Sequence, residues 1–278
     1  MRIFNDLLAI PIAFVLVPLK AWHPLVGLTL MSLMVGAGAL FVVDRTSPHA
    51  RITIVKRSIV AALLEIVLFN HDLKAIATAQ LEILKLNIVF LRLSVVPFVL
   101  TSVPILVLMA HLHGYYGYAG LTPGQSALLT IDLATDDRRP QLTVDAPEGL
   151  HVESPAVWIP SLSQAIFRIL PVSSGEYDLT LRMGPMAFTK TLVASADWIS
   201  RSPARVPAGL DAMLYPAEDP LPGDTRIRRI SIDYPETNID IGGWRVHWTW
   251  LFLGLSILFS FALKAMGIFT HHALQSRR

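Results

Sequence analysis

The residues best suited to chemistry in this chain are two histidines, His111 and His113, which stand two positions apart. An extended His-x-His pair can hold a metal ion, but residues at i and i+2 of a helix do not face each other. The pair continues a long apolar run and precedes Tyr115, Tyr116 and Tyr118. Amphipathic rings are common where a helix leaves a membrane. We therefore interpret the histidines as part of an interfacial belt and predict no metal site.

The other polar clusters favour ordinary roles. The Asp-Asp-Arg-Arg run at 136–139 is typical of a solvated hairpin loop, and His271 and His272 lie in a basic tail suited to lipid headgroups. Glu65 and Glu82 are interpreted as surface charges. The sequence has no glycine-rich phosphate loop and no G-x-S-x-G motif. We therefore expect no enzyme activity, no cofactor and no small-molecule substrate.

Arg92 is the most informative charged residue because it lies inside an apolar run, Ile88–Ala110. A charge within the membrane is costly, so it normally faces protein, water or the interface. Arg92 lies near the predicted inner boundary, where its long stem allows the guanidinium to reach the headgroups. A wet groove and an ion pair with a partner subunit are the functional alternatives. Snorkelling is the favoured interpretation, and a partner or groove contact is the candidate functional role of Arg92.

The amino-acid composition indicates that part of this chain lies in a membrane. Of the 278 residues, 53% are hydrophobic and 16% are charged, which is too apolar for an ordinary soluble domain of this length. The net charge of +2 and pI of about 9.0 come without a basic patch, so nucleic-acid binding is not expected. The absence of cysteine excludes disulfides and thiolate metal sites.

Three apolar segments are long enough to span a bilayer, which requires about 20 residues. They are Leu25–Val43, Ile88–Ala110 and Trp248–Phe269. In the first, Gly36 and Gly38 offer a small-residue surface for contact with a partner helix. The opening segment, 3–19, contains two prolines within a short apolar run. We interpret it as a helix lying in the interface, with a fourth, strained span as the alternative.

Aromatic and basic residues indicate how the spans are oriented. The predicted interfacial anchors are Trp22, Tyr115, Tyr116, Trp244, Trp248 and Trp250. Six basic residues lie between 44 and 87, and the chain ends in Ser-Arg-Arg. The positive-inside rule makes both regions cytoplasmic. The N-terminus and the region 111–247 then lie outside, which is the periplasm for a bacterial inner (plasma) membrane protein.

The region between the last two spans has the pattern of a β-domain. Short alternating runs such as Ala127–Leu133 and Gly175–Met183 are separated by turn residues, which predicts an all-β sandwich. Tyr177 stands where immunoglobulin-like sandwiches often place a corner tyrosine. A segment rich in Pro, Asp and Gly follows, and it includes one more strand-like run, "RIRRISIDYP". On the cytoplasmic side, two helical runs meet at Asp72, a predicted N-cap.

These patterns predict an α+β membrane protein. It has three transmembrane helices, a cytoplasmic helical hairpin and an extracytoplasmic immunoglobulin-like β-sandwich. The predicted segments are an interfacial amphipathic helix (1–23), transmembrane helices at 24–44, 88–112 and 244–270, the cytoplasmic hairpin (45–87), the periplasmic β-sandwich (119–196), a periplasmic strap (197–243) and a cytoplasmic basic tail (271–278).

The order of these elements resembles the YidC-type membrane-insertase superfamily, whose archaeal members have three spans. "IFNDLLAIPIAFVLVPL" before "GLTLMSLMVG" is similar to the entry helix and first span there, and "LLEIVLFNHDLKAIATAQLEILKLN" is similar to their hairpin. The resemblance covers about residues 1–110 and the last span, and it implies an arginine in a wet groove. Two departures are the more apolar hairpin and the inserted β-domain. Here, moreover, Arg92 lies in the second span, whereas the insertases usually carry theirs in the first.

The chain also resembles an uncharacterised group of bacterial three-span proteins with "LFxxD…AQ…N" and "YG…LxPGQ/E" blocks, a likeness that supplies no function. Two functional hypotheses remain. In the first, the chain is a non-enzymatic scaffold or accessory subunit of a larger inner-membrane complex, for example a bioenergetic one, and stabilises its periplasmic face. In the second, it is an insertase-like assembly factor. The expected partners are membrane lipid and other integral membrane subunits.

Overall fold

The computed structural model describes residues 12, 14–19, 22–134, 141–209, 211–223 and 225–267. The predicted loop at 136–139, the histidines of the tail and most of the predicted entry helix lie outside the described residues. The described chain is α+β. Its four long helices are α1 (Pro24–Thr46), α2 (His49–Leu68), α3 (Leu73–Tyr116) and α4 (Trp248–Ala265).

Helices α1, α3 and α4 are long and apolar enough to cross a membrane, which confirms the three predicted spans as candidates. The described chain forms two compact units. The first comprises the described residues up to Met31 together with Leu106–Leu253. The second comprises Ser32–Ile105 and the described residues from Gly254 onward.

A four-residue turn joins α2 to α3. The Asp72 carboxylate accepts hydrogen bonds from the backbone N–H groups of Lys74 (2.9 Å) and Ala75 (3.3 Å). These bonds satisfy two of the backbone donors that a helix start leaves without partners. The prediction of Asp72 as N-cap is therefore confirmed. From this cap α3 runs for 44 residues, through Pro97 and Pro104, without a break.

Between α3 and α4, the residues that the structure describes form eleven strands. They are β1 (Ala127–Leu133), β2 (Leu142–Asp145), β3 (Leu150–Val152), β4 (Val157–Ile159), β5 (Gln164–Pro171), β6 (Gly175–Met183), β7 (Met186–Ala194), β8 (Ala204–Arg205), β9 (Ile227–Ile232), β10 (Ile239–Ile241) and β11 (Trp244–Val246). One sheet has the order β3-β5-β1-β9-β8, with β4 also paired to β5, and a second has the order β2-β6-β7. All these strand pairs are antiparallel.

Both sheets contribute to one hydrophobic core. Leu129 and Ile131 of β1 and Phe167 of β5 are buried in the same cluster as Leu179 and Leu192 of the second sheet. This arrangement follows from the period of two in each strand, which places alternate side chains on one face. The predicted strands at 127–133, 175–183 and 186–194 coincide with β1, β6 and β7.

Tyr177 contacts the turn that precedes its own strand, β6. Its hydroxyl lies 2.8 Å from the backbone oxygen of Ser173, to which it donates a hydrogen bond. Gly149 allows this approach, because a Cβ there would lie 2.8 Å from the Tyr177 hydroxyl and the backbone has a φ of +89°. The contact ties the start of β6 to the preceding turn.

The core also draws on residues beyond 196. Strand β9 pairs with β1 in register Thr130↔Ser231, between β1 and β8, and its residues Ile227 and Ile230 are fully buried. This strand lies inside the segment predicted as a strap, 197–243. A chain cut at 196 would leave the edge of β1 unpaired and remove part of the core.

Candidate interaction surfaces

Helix α2 and the first part of α3 belong to the second unit, and each buries few of its side chains. On α2, Val55 and Ala62 are buried, and on α3, Ala79 is 1% exposed. The ammonium of Lys56 lies 5.7 Å from the centre of the Phe90 ring. A cation over an aromatic face is a favourable contact that fixes the two helices side by side.

The rest of α2 and the beginning of α3 expose apolar side chains. On α2 the exposed large side chains continue to the end of the helix, where Leu64 is 63% and Leu68 is 75% exposed. The other exposed members of this surface are Val60, Leu63, Val67, Phe69, Leu73, Leu81 and Leu84. We call these nine residues the apolar tip surface. A helix that is apolar on all sides is normally covered by protein or lipid.

The length of α3 indicates where this surface lies relative to the span. The 44 residues extend about 66 Å at 1.5 Å per residue, about twice the ~30 Å of a hydrocarbon core. Lys74, Glu82 and Lys85 all lie in the first third of the helix, whereas 93–110 carries no charge. The uncharged part is suited to the hydrocarbon. Relative to the predicted span, Ile88–Ala110, the 15 residues Leu73–Asn87 extend about 22 Å further.

Arg92 is exposed and makes no hydrogen bond or ion pair with any residue that the structure describes. It therefore points away from the chain's own packing. The predicted surface charges Glu65 and Glu82 are likewise exposed. In the described part of the chain, neither of them is ion-paired.

Gly36 and Gly38, predicted together as a partner surface, have different surroundings. Gly36 is buried, and a Cβ added there would lie 2.7 Å from the backbone oxygen of Ser256. The Ser260 hydroxyl donates a 2.9 Å hydrogen bond to the Gly36 carbonyl. The close approach is thus used by α4 of the same chain. Gly38 is exposed, with nothing within 4 Å of an added Cβ, and remains open to a partner.

The two histidines of α3 have separate partners. His111 is buried, and its Nδ1 lies 3.0 Å from the backbone oxygen of Val107, one turn earlier. His113 Nε2 lies 2.9 Å from the Tyr118 hydroxyl. Among the described residues, no group of three His, Cys, Asp or Glu side chains could hold a metal ion.

The predicted interfacial anchors divide into an inner and an outer group. Trp248 is 2% exposed, and its ring lies 5.8 Å from His113 and 6.4 Å from Tyr116. Tyr116 is itself buried beside Trp198. Trp248 and Tyr116 therefore pack inside the first unit instead of facing outward. Tyr115 is partly buried.

The outer anchors are three tryptophans that remain exposed. Trp22 precedes α1, Trp244 is the first residue of β11, and Trp250 lies in the first turn of α4. Trp244 lies within the predicted third span, 244–270, but in the structure it belongs to a β-hairpin before α4, which begins at Trp248. These rings are available to a lipid interface or to a partner.

Arg201 is a buried cation that no sequence pattern indicated. Its guanidinium donates to the carbonyl oxygens of Tyr118 (3.1 Å), Ile199 (3.2 Å) and Ser195 (2.9 Å), and to that of Asp197. Its backbone N–H donates to the Gly114 carbonyl at 2.8 Å. Carbonyl dipoles replace the water that the charge loses on burial. Arg201 therefore ties the segment after β7 to the end of α3.

Gly120 is required by the same junction. A Cβ at this position would lie 1.7 Å from the Ser195 carbonyl oxygen and 2.8 Å from Nη2 of Arg201. No side chain tolerates the first distance, so only glycine allows the two chain segments to approach.

Lys190 and Glu218 form a second buried charged contact. The Lys190 ammonium, 1% exposed, lies 2.7 Å from the Glu218 carboxylate and 2.6 Å from the Ser202 backbone oxygen. The carboxylate also accepts from the Thr191 N–H and the Ser202 hydroxyl. Burial lowers the pKa of Lys190, while Glu218 opposes that shift. This pair holds the segment after β8 against β7.

Tyr234 makes a further buried polar contact, also with β7. Its hydroxyl accepts a 2.9 Å hydrogen bond from the Val193 N–H, and its ring is buried in the core cluster. Burial raises the pKa of Tyr234 to about 12, since the phenolate would lose its hydration.

Of the buried charged residues, only Lys190 is indicated by a pattern in the sequence. Along β7, Lys190 lies two residues from both Phe188 and Leu192. Because alternate side chains of a strand share a face, all three lie on the core side of β7. A lysine at an inward position indicates a buried partner. Arg201 lies in an irregular segment without periodicity, and its carbonyl partners come from distant positions. No comparable local signal was present for it.

Comparison of the chain with protein families, with curated proteins and with solved structures found no match in any of the three.

Proposed function

We propose that the chain is a non-enzymatic accessory subunit of a larger membrane complex. In this proposal the three spans pack among other integral membrane subunits, and the β-domain stabilises the complex on the periplasmic side of a bacterial inner membrane. The observation that carries the proposal is the apolar tip surface of α2 and α3.

Lipid is an unsuitable cover for that surface. Its members on α3, Leu73, Leu81 and Leu84, lie on the part of that helix that extends about 22 Å beyond the predicted span, Ile88–Ala110, and the short turn at 69–72 keeps the end of α2 beside them. Lys74, Glu82 and Lys85 lie along the same part of α3. Water is equally unsuitable, because exposed apolar area costs about 25 cal/mol per Å². Exposed apolar residues clustered in this way are typical of a protein–protein or membrane contact, and the distance from the span favours a protein. A protein subunit over the tip surface would shield it from water without requiring lipid at this distance from the span.

The first unit supports a static role. Its two buried cations, Arg201 and Lys190, make hydrogen bonds to carbonyl and carboxylate oxygens of their own chain. Both tie connecting segments to the sheets or to the end of α3. Such contacts rigidify a domain, as expected of a subunit that clasps a fixed partner.

The alternative function is an insertase-like assembly factor. Arg92 is exposed and has no partner in the described chain, which favours a wet groove on the face of the second span. The tip surface would then receive client segments transiently and would have no permanent partner.

Purification from native membranes in mild detergent tests the proposal. We expect a partner of fixed stoichiometry to accompany the wild-type chain. The double substitution Leu64→Asn and Leu68→Asn should release that partner, because the polar amides would be buried without hydrogen bonds. A mixture of sub-stoichiometric proteins would support the assembly factor, and purification of the chain alone would contradict both functions.

Leu128→Asn is the matched control. Leu128 is also an exposed leucine, but it lies on β1 of the β-domain and is not a member of the tip surface. This variant should retain the partner. Release by both variants would indicate a general loss of stability and not a specific contact.

A further inference from the structure

The two-stranded hairpin β10–β11 has one apolar face and one charged face. Cross-strand pairs join Ile239 to Val246 and Ile241 to Trp244, and residues two apart share a face. These four side chains therefore form a single apolar face. Asp240 and Arg245 form the middle cross-strand pair, and their side chains lie on the opposite face.

The apolar face is covered at its base and open at its tip. Ile239 is 2% exposed, whereas Trp244 is 78% exposed and Ile241 beside it is also exposed. The turn that presents this tip is specified by Gly242 and Gly243, with φ of +60° and +92°. Two positive φ values match the twist of a two-residue hairpin. The Asp240 carboxylate accepts a 2.8 Å hydrogen bond from the Gly243 N–H and stabilises the turn.

The chain itself holds this tip near a membrane surface. Trp244 precedes Trp248, the first residue of α4, by four residues, which span about 14 Å at full extension. If α1, α3 and α4 each cross once, the start of α1, the end of α3 and the start of α4 lie on one side. The exposed rings Trp22, Trp244 and Trp250 then belong to the same interface.

From this geometry we infer that the β10–β11 hairpin inserts its tip, Ile241 and Trp244, into the lipid headgroup layer beside α4. The indole ring suits this layer because it has an apolar body and one polar N–H. Asp240 and Arg245 face the water on the other side of the hairpin. The hairpin thereby fixes the β-domain against the bilayer, independently of any protein partner.

The cysteine-free sequence allows a direct test on the full chain in phospholipid vesicles. A nitroxide is attached at Ile241→Cys or, as the matched control on the charged face, at Arg245→Cys. Collisions with oxygen, which concentrates in lipid, are compared with collisions with a water-soluble nickel chelate. We expect oxygen to dominate at 241 and the nickel chelate to dominate at 245.

Other patterns overturn the inference. Nickel access at both positions would place the hairpin in water, and shielding of 241 from both reagents would mean that a protein covers it. Quenching by brominated lipids provides a second measurement without labels. The lipid-quenchable part of the tryptophan emission should fall in Trp244→Phe, and an unchanged quenchable part would also overturn the inference.

Discussion

The two units of this chain use apolar and cationic residues in opposite ways. In the first unit, leucines and isoleucines of both sheets are buried in one core, and the cations Arg201 and Lys190 are buried with oxygen partners. In the second, Leu64 and Leu68 are exposed, and so is Arg92. The first unit has a hydrophobic core of its own and pairs its buried cations with oxygens of the same unit, although Trp22, Trp244 and Trp250 stay exposed. The exposed apolar side chains of the second unit require lipid or another protein to cover them, and this contrast supports the proposed subunit role.

The largest expected effect on stability is that of Glu218→Gln. This substitution leaves the buried Lys190 ammonium without its counter-charge, and breaking a buried pair on one side costs about 3–5 kcal/mol. Chemical denaturation of the purified chain, followed by near-ultraviolet circular dichroism, measures the loss. The double variant Glu218→Gln with Lys190→Met should recover part of it. A single variant as stable as the wild type would mean that the first unit does not depend on this contact.

Alkaline pH should destabilise the first unit through Tyr234. Below pH 10 the Tyr234 phenol is protonated in both the folded and the unfolded state, so its contribution to the free energy of unfolding is fully present. Between pH 10 and about 12 the unfolded state ionises while the folded state stays neutral, so stability falls as pH rises. A shift of this size corresponds to about 3 kcal/mol. The unfolding free energy of Tyr234→Phe should lack this part of the pH dependence, and identical slopes would contradict the assignment.

The two arginines provide a matched comparison between the units. Arg201→Lys should destabilise the chain by about 2 kcal/mol, because an ammonium cannot reproduce the planar fork that reaches four carbonyls. Arg92→Lys should leave thermal stability unchanged, since the exposed guanidinium has no partner in the described chain. Equal effects of the two substitutions would mean that Arg201 contributes no more to stability than the exposed Arg92.

The two glycines of α1 provide a smaller comparison within the second unit. Gly36→Ala should cost about 1 kcal/mol, since its Cβ would meet the Ser256 backbone of α4 and force the helices apart. Gly38→Ala should be neutral or slightly stabilising, because nothing lies near its Cβ and alanine favours a helix. Thermal unfolding in detergent measures both. The reverse order would mean that α1 and α4 do not pack through Gly36.

Hydropathy and strand alternation predicted much of the fold. Continuous apolar runs located α1 and α4, and a period of two located β1, β6 and β7, because these patterns arise within a single element. The Asp72 cap was predictable for the same reason. The sequence of β9 is a recognisable strand-like run, but its position between β1 and β8 depends on pairs such as Thr130↔Ser231, which are distant in sequence.

The interaction surfaces were less predictable because burial depends on tertiary packing. Trp248 and Trp250 have similar local surroundings in the sequence, yet one is buried against His113 and Tyr116 and the other is exposed. Gly36 and Gly38 differ in the same way, since only Gly36 meets α4. The function of Arg92 remains a prediction, as do the insertase resemblance and the orientation in the membrane.

Photo-crosslinking at position 64 in native membranes tests the central claim most directly. A benzophenone attached at Leu64→Cys reports whether water, lipid or protein covers the apolar tip surface. We predict one protein adduct of fixed mass, with a yield that falls when Leu68→Asp is added on the next turn. Adducts with phospholipid, or no adduct at all, would contradict the proposal that a partner subunit covers this surface.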